Sequence, residues 1–196
     1  VSMMDCQLAL MENAVSRYLN AGEVPTRLGS RHPLIAPFQS FDTADLPIAI
    51  CVDTEPQWHR FCHALGIDVL LHDPRFKDGP MRAARHAELE PLLNAVFARG
   101  RRDDFLEVLE AADVPCSPIN SIPEVTEDAQ VAHRQVLVEV PEASGIKYVG
   151  APFHYNKAPV TGETPPPRLG ADSEAILREL GRDDATIRQL REQGVF

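Results

Sequence analysis

Two segments rich in proline and glycine constrain the fold most, because they divide the chain of 196 residues into three parts. The first spans residues 21–37, and the second spans residues 159–170 and contains three consecutive prolines. Neither has the periodicity of a helix or a strand, so we interpret both as linkers. We therefore predict a small domain at residues 33–132. A larger second domain is predicted to include both ends of the chain. Residues 1–32 contribute a helix and linker, and residues 133–196 contribute a hairpin, the proline-rich linker and C-terminal helices.

The first predicted helix has more apolar surface than the chain offers to cover. It begins at Ser2, which can cap it, and ends at Gly22. Its apolar side chains recur at helical spacing and widen into a broad stripe: Met4, Leu8, Leu10, Met11, Ala14, Val15, Tyr18 and Leu19. Such a stripe needs burial on more than one side, so we expect a partner outside these residues to cover it. The chain opens on Val1 rather than Met, and we expect it to be part of a longer protein.

The middle of the chain is predicted to be an α+β domain built from short strands and amphipathic helices. Strands are predicted at residues 37–41 and 47–52, and an extended segment at 114–118. Helices are predicted at 55–65, around 89–97, around 105–109 and at 122–132. The other predicted elements are turns at 73–76 and 78–80, a hairpin of strands 136–140 and 146–149 joined by 142–145, and helices at 175–180 and around 187–195.

Charge and composition narrow the classes of function. The chain has 29 acidic and 19 basic side chains, a net charge of −10, whereas a domain that binds nucleic acid is normally basic. The sequence has neither an apolar run long enough to cross a membrane nor the pattern of a signal peptide. Its four cysteines, Cys6, Cys51, Cys62 and Cys116, form no C-x-x-C pair, which is typical of a reducing compartment. We predict a soluble, cytoplasmic protein that binds neither nucleic acid nor a membrane.

The turn at residues 53–58, Asp-Thr-Glu-Pro-Gln-Trp, is the most informative polar segment. It lies where a predicted buried strand meets a helix, and polar residues at the carboxyl end of a strand commonly face ligands in α/β proteins. A structural interpretation stands beside this one: Asp53 or Thr54 caps the helix, and Pro56 takes its first position. The cap accounts for every residue type in the turn except Gln57.

Two further clusters have both a functional and a structural interpretation. His59 and His63 lie four residues apart on a predicted helix, beside Cys62, which is the spacing of a metal pair. Since the glutamate of H-E-x-x-H and a nearby third ligand are missing, we place them on the flank of the helix and predict no metal. Residues 75–102 carry seven positive and three negative charges, which suits either a phosphate-bearing ligand or the solvated face of a helix pair.

Several segments, read in order, resemble the class III CoA-transferases of the CaiB/BaiF type, a family that includes the α-methylacyl-CoA racemases. The matching segments are residues 27–33 (RLGSRHP), 35–41 (IAPFQSF), 58–62 (WHRFC), 65–66 (LG), 73–76 (DPRF), 114–120 (VPCSPIN), 150–153 (GAPF), 167–170 (PRLG) and 176–181 (ILRELG). Their order and spacing make the resemblance specific. It covers only the C-terminal half of such a protein.

The resemblance implies a fold and a chemistry. The fold is a Rossmann-like large domain made from the absent N-terminal half and the end of this chain, a small domain between them, and two subunits that interlock as rings. The reaction moves CoA, the substrate and carrier, from an acyl-CoA donor to a carboxylic acid through an aspartyl-CoA intermediate. That aspartate would lie in the N-terminal half. We therefore predict no catalytic residue in this chain, and an isolated chain that is inactive.

Two alternatives remain open. Glu55-Pro56-Gln57 resembles the racemase form of this turn, which implies α-proton transfer on a 2-methylacyl-CoA; the other alternative is a non-catalytic fragment for dimerisation or partner binding. Glu55 is therefore the first pocket candidate, with Asp53 and Gln57 beside it. Two departures from the family pattern bear on this assignment. Residues 53–56 are not the glycine-rich loop of many transferases, and residues 169–173 read Leu-Gly-Ala-Asp-Ser instead of Leu-Gly-Glu-His-Thr.

Overall fold

The structure, a computed structural model, describes residues 1–140, 145–156, 158–159 and 165–196. The helices in these ranges are α1 (Met3–Leu10), α2 (Glu12–Ala21), α3 (Glu55–Ala64), α4 (Gly79–Ala84), α5 (His86–Phe97), α6 (Arg102–Ala111), α7 (Ile122–Glu127), α8 (Ala129–His133), α9 (Ser173–Glu179), α10 (Asp184–Glu192) and a 3-10 helix (Asp68–His72). The strands are β1 (Phe38–Phe41), β2 (Ile48–Cys51), β3 (Cys116–Pro118), β4 (Leu137–Glu139), β5 (Lys147–Val149), β6 (His154–Tyr155) and β7 (Ala158–Pro159).

Helices mixed with short antiparallel strands confirm the predicted α+β class. The described residues form two compact units, Val1–Ile119 and Asn120–Phe196. The boundaries predicted near residues 33 and 133 concern a larger protein and stay a prediction. Among the described residues, no helix combines the length and the apolar character that spanning a membrane requires.

The first unit contains a three-stranded antiparallel sheet in the order β1-β2-β3. Phe38 pairs with Cys51, and Ile50 pairs with Cys116. Because side chains alternate along a strand, the sheet has one buried face and one open face. The buried face carries Gln39, Phe41, Ile48 and Ile50, and the open face carries Phe38, Ser40, Ala49, Cys51 and Ser117. The three extended segments predicted from the sequence are confirmed.

Aromatic rings from the sheet and three helices fill the core of this unit. Phe97 of α5 is fully buried and stacks on Phe41 of β1, with 4.8 Å between ring centroids. It also meets Phe105 of α6 edge-on at 5.0 Å and Phe61 of α3 at 6.3 Å. Such pairs add about 1 kcal/mol each to the effect of burying apolar area. The buried Trp58 stacks on Phe61 at 5.8 Å, so the same cluster fixes the first turns of α3.

The first predicted helix is two helices, because Met11 leaves helical geometry (φ −94°, ψ 17°) between α1 and α2. Both predicted ends are confirmed. Oγ of Ser2 accepts a hydrogen bond from the N–H of Asp5, and Gly22 ends α2 in the left-handed region (φ 67°). Most of the apolar stripe is exposed as expected: no residue of either helix is buried, and Leu10 keeps 80% of its surface. Ala14 and Val15 are half-buried.

Two other predictions were wrong, and local capping explains both. Residues 78–80, predicted as a turn, begin α4, because Oδ1 of Asp78 accepts a hydrogen bond from the N–H of Met81 at 2.9 Å. The single helix predicted at residues 122–132 is divided into α7 and α8. Asp128 interrupts it with extended backbone (φ −64°, ψ 132°), and its carboxylate caps α8.

The second unit contains two strand pairs and the terminal helices. Strands β4 and β5 pair antiparallel, with Leu137 opposite Val149, which confirms the strands of the predicted hairpin. Residues 142–144 of their predicted connection lie outside the described residues, as do residues 160–164 of the predicted linker. The β6–β7 pair was not predicted. The predicted C-terminal helices are present as α9 and α10, and Ile187 of α10 is buried.

Candidate functional site

The turn that joins β2 to α3 is closed by a capping box. Thr54, at the N-cap, accepts a hydrogen bond on Oγ1 from the N–H of Gln57 at 3.4 Å. In return, Oε1 of Gln57 accepts hydrogen bonds from the N–H groups of Asp53 at 2.9 Å and of Thr54 at 3.0 Å. The cap interpretation is confirmed with Thr54 as the N-cap, and it extends to Gln57, whose residue type the predicted cap did not explain. Pro56 was predicted at the first helical position but takes the second, because α3 begins at Glu55. The Thr-x-x-Gln spacing is the signal that was available for it.

Glu55, in the first turn of α3, is held by Arg82 of α4. Arg82 donates from Nη2 to Oε1 at 2.7 Å and from Nη1 to Oε2 at 3.0 Å. Oε1 also accepts a hydrogen bond from the N–H of Gly79 at 2.9 Å. The hydrogen bonds from Arg82 lower the pKa of Glu55 below its ordinary value, although partial burial opposes this. Glu55 is therefore a charged counter-ion at neutral pH and a weak proton acceptor.

Arg82 is fully buried and joins three segments of the first unit. Its Nε donates to the carbonyl of Ala36 at 3.1 Å, and its Nη1 donates to the carbonyl of Phe76 at 3.2 Å. The guanidinium carbon lies 4.8 Å from the ring centroid of Trp58, which is a cation–π contact. Arg82 belongs to the basic cluster at residues 75–102, whose cations were predicted to face solvent or a ligand. The structure contradicts both interpretations for this residue.

Most other cations of residues 75–102 have acidic partners nearby. The pairs are Arg75 with Asp73 and Glu88, Arg85 with Glu88, Arg101 with Asp45, and Arg102 with Asp103. Each local carboxylate offsets the charge that an anionic ligand would need. The geometry therefore favours the solvated helix face over the phosphate-binding interpretation for Arg75, Arg85 and Arg101. Arg102 is buried and fits neither interpretation.

Asp53 is the carboxylate of the turn that has no hydrogen bond or ion pair with another described residue, and its side chain is exposed. Two residues earlier, Cys51 lines a cavity of about 240 Å³. The other lining residues are Phe38, Ala49, Ile50, Pro115, Cys116 and Ser117. The cavity lies beside the strand that leads directly to Asp53. The free carboxylate of Asp53 is thus only two residues along the chain from Cys51, which lines the apolar cavity.

The thiols near this region are poor nucleophiles. Burial raises the pKa of Cys51 and of Cys116, and it raises the pKa of Cys62 to about 12. These three side chains are therefore protonated at neutral pH. The interpretation of Cys51 as a small apolar residue is consistent with this environment.

The two histidines of α3 lie on its exposed flank, as predicted. His59 and His63 are both exposed, whereas Trp58 is buried. Nδ1 of His63 lies 2.5 Å from Oδ1 of Asp68. In the part of the chain that the structure describes, no group of three or more His, Cys, Asp or Glu side chains has the arrangement of a metal site.

The three pocket candidates thus lie in one turn but differ in their surroundings. Glu55 is bound to Arg82, Gln57 closes the capping box, and Asp53 is unpaired among the described residues. Their place in an active site stays a prediction. The sequence did not predict that Arg82 is buried and bound to Glu55, since a single arginine inside Met-Arg-Ala-Ala carries no pattern of a buried cation.

Comparison with known proteins identifies relatives of this chain. The family model of "CoA-transferase family III" matches residues 1–173. An "Acyl-CoA transferase" of Fusarium pseudograminearum is 32% identical, over 100% of this chain and 44% of that protein. A "Succinate--glutarate CoA-transferase" of Agrobacterium fabrum is 32% identical, over 92% of this chain and 46% of that protein. The chain spans less than half the length of these relatives.

Solved structures show the same likeness. The crystal structure of a CAIB/BAIF family protein from Brucella suis superimposes with a TM-score of 0.75 at 31% identity, over 90% of this chain and 46% of that one. Rv3272 from Mycobacterium tuberculosis superimposes with a TM-score of 0.71 over 89% of this chain and 46% of that one. At 23% identity, this second comparison supports the fold alone.

Proposed function

The chain belongs to CoA-transferase family III, and from this we propose that the complete protein moves CoA from an acyl-CoA donor to a carboxylic acid. The observation that carries the proposal is the family match, which extends over residues 1–173. CoA serves as the substrate and carrier of the acyl group. The protein would work in the cytoplasm, in keeping with four cysteines that are all free thiols.

The proposed reaction passes through an enzyme carboxylate. An aspartate attacks the thioester carbonyl of the donor, the C–S bond breaks, and CoA leaves as a thiolate. The thiolate then attacks the aspartyl carbonyl of the anhydride, which forms aspartyl-CoA and releases the donor acid. The acceptor carboxylate attacks this thioester, and the thiolate released attacks the acceptor's acyl carbon. Acceptor-CoA forms and the aspartate is restored.

We place the nucleophilic aspartate outside these 196 residues. The chain spans 44–46% of the relatives compared above, which leaves more than half of such a protein to supply it. Glu55 is not a substitute, because Arg82 engages both of its oxygens. The isolated chain should therefore be inactive.

We propose a dicarboxylic acid as the acceptor. Relatives are named for succinate and glutarate (Agrobacterium fabrum), for oxalate (Acetobacter aceti) and for mesaconate (Haloarcula marismortui), all of them dicarboxylic acids. A panel of acceptors at equal concentration tests this. Succinate, glutarate and oxalate should give acceptor-CoA faster than butyrate, a monocarboxylate of similar size to succinate. Equal or greater rates with butyrate would overturn the assignment.

The assembly we propose is an interlocked homodimer in which residues 1–32 and 133–196 complete a Rossmann-like large domain. Support comes from the apolar surface of α1 and α2. Met3 keeps 86%, Leu10 80% and Leu19 72% of their surface in this chain. Apolar area of this extent favours burial against a further domain or subunit. In this assembly the turn at residues 53–57 borders the active site, and Asp53 is its free carboxylate.

One experiment on the complete protein separates the transferase from its alternatives. The enzyme is incubated with an acyl-CoA in deuterated water, with and without a free dicarboxylic acid. We expect acceptor-CoA by mass spectrometry only when the acid is present. Deuterium at the α-carbon without an acceptor, and no acceptor-CoA, would establish the racemase instead. If neither product forms, the non-catalytic role is the one that remains. The names of the relatives, which are CoA-transferases, support the transferase as the first of these alternatives.

A further inference from the structure

A polar surface cavity in the second unit contains none of the candidate site residues described above. Its volume is about 550 Å³, and it is lined by His133, Arg134, Gln135 and His154. All four residues belong to the unit Asn120–Phe196. Imidazole, guanidinium and amide groups are all hydrogen-bond donors, and none of the described lining residues is a carboxylate.

The end of α8 and the strand β6 build this cavity. α8 ends at His133, and Arg134 follows as the C-cap residue. Gln135 has a positive φ of 52°, which turns the chain in a conformation that non-glycine residues rarely adopt. Nε2 of His154 lies 3.3 Å from the carbonyl oxygen of Arg134, so a hydrogen bond joins the two walls. Strained backbone of this kind concentrates at functional sites.

The positive charge in the cavity is available to a ligand. The guanidinium of Arg134 is exposed and has no ion pair with a described residue, in contrast to the paired arginines Arg75 and Arg101. The chain as a whole carries a charge of −10, whereas no described residue that lines this cavity is acidic.

We propose that this cavity binds the phosphate groups of a phosphorylated small molecule. A planar guanidinium can donate two parallel N–H bonds to a phosphate, and donors from several directions suit a tetrahedral oxyanion with several acceptor oxygens. Arg134 is the main contact, with His133, Gln135 and His154 around it. The ligand is either CoA, which rests on the proposed function, or a free diphosphate. Both carry the same group.

Calorimetric titration of the chain with inorganic pyrophosphate tests the site. Arg134→Gln should weaken binding by about tenfold, which is the effect of losing one charged hydrogen-bonding partner. Arg134→Lys should restore part of the affinity. Arg182→Gln is the matched control, because Arg182 is an exposed arginine of the same unit without an ion pair to a described residue. His154→Gln gives a second variant, and circular dichroism verifies that each protein is folded.

The outcomes are distinct. Weaker binding in Arg134→Gln and unchanged binding in Arg182→Gln support the site. Equal losses in both variants, or no binding of pyrophosphate by the wild-type chain, overturn it. Titration with CoA, and with pantetheine as a control that lacks phosphate, identifies the source. If CoA displaces pyrophosphate and pantetheine does not, the site is assigned to CoA. If neither displaces it, the site is assigned to a free diphosphate. No arm measures CoA transfer, so a failure of the proposed function would be seen separately.

Discussion

The buried guanidinium of Arg82 donates to both carboxylate oxygens of Glu55, at 2.7 and 3.0 Å. The arginine side chain is 0% exposed, whereas the glutamate keeps 46% of its surface. The pair therefore lies at the border between core and solvent. A buried charge without its partner is strongly unfavourable, so this contact stabilises the turn at residues 53–57 and the segments that Arg82 joins to it.

Replacing Glu55 with Gln should lower the free energy of unfolding by about 2 kcal/mol, because Arg82 then remains buried without a counter-ion. Urea denaturation of the chain measures this. Glu107→Gln is the control, since Glu107 is an exposed carboxylate of α6, and it should change stability by less than about 0.5 kcal/mol. Equal stability of the wild type and Glu55→Gln would show that the ion pair contributes little.

Replacing Asp53 with Asn tests the proposed border of the active site. In the complete protein we expect kcat/KM to fall by about tenfold, equivalent to about 1.4 kcal/mol of transition-state stabilisation. The free energy of unfolding should not change, since the carboxylate of Asp53 bonds to no described residue. The exposed Asp42, changed to Asn, is the control. Kinetics equal to those of the control would place Asp53 outside the site.

Part of the loss of stability between pH 4 and pH 2 should arise from Asp45. Its hydrogen bond from the N–H of Arg102 holds its pKa at about 2, below the ordinary value of 3.8. Because the folded state binds this proton more weakly than the unfolded state, the contribution of Asp45 is present above about pH 4 and is lost as the pH falls to about 2.

Thermal unfolding of the wild type and of Asp45→Asn from pH 6 to pH 2 measures this contribution. We expect the difference in Tm to be largest at pH 6 and to shrink toward pH 2. A difference that stays constant over this range would mean that ionisation of Asp45 is not its source.

A side chain at position 100 should destabilise the protein. A Cβ at this position would lie 3.0 Å from two ring carbons of Phe105, and that ring packs edge-on against Phe97. Gly100→Ala should therefore lower the free energy of unfolding by about 1 kcal/mol, as overpacked cores do. Gly79→Ala is the control, because its Cβ would meet no atom closer than 3.7 Å. Equal effects of the two substitutions in urea denaturation would contradict the packing argument.

Periodicity and capping signals predicted most of the fold. The strands around Phe38 and Ile50, the helix from Glu55 and the ends at Ser2 and Gly22 all follow local rules. The break at Met11 was missed, since no proline or glycine marks it. The division at Asp128 was missed because an Asx cap inside an apolar pattern competes with helix continuation in a way that spacing alone does not resolve.

The candidate site was harder to predict from the sequence than the fold was. The position of Glu55, Asp53 and Gln57 in one turn follows from their adjacency, but their different partners depend on tertiary contacts. Arg82 lies 27 residues after Glu55 along the chain, and nothing near it indicates that its charge is buried. The cavity at Arg134 likewise depends on a tertiary contact, because His154 of strand β6 forms part of its lining.

Formation of acceptor-CoA by the complete protein tests the central claim most directly. The complete protein and the 196-residue chain are incubated separately with an acyl-CoA and a dicarboxylic acid, and the acceptor-CoA is quantified by mass spectrometry. We expect the complete protein to form it and the isolated chain to form none. Acceptor-CoA from the isolated chain would contradict the placement of the nucleophile, and none from the complete protein would contradict CoA transfer itself.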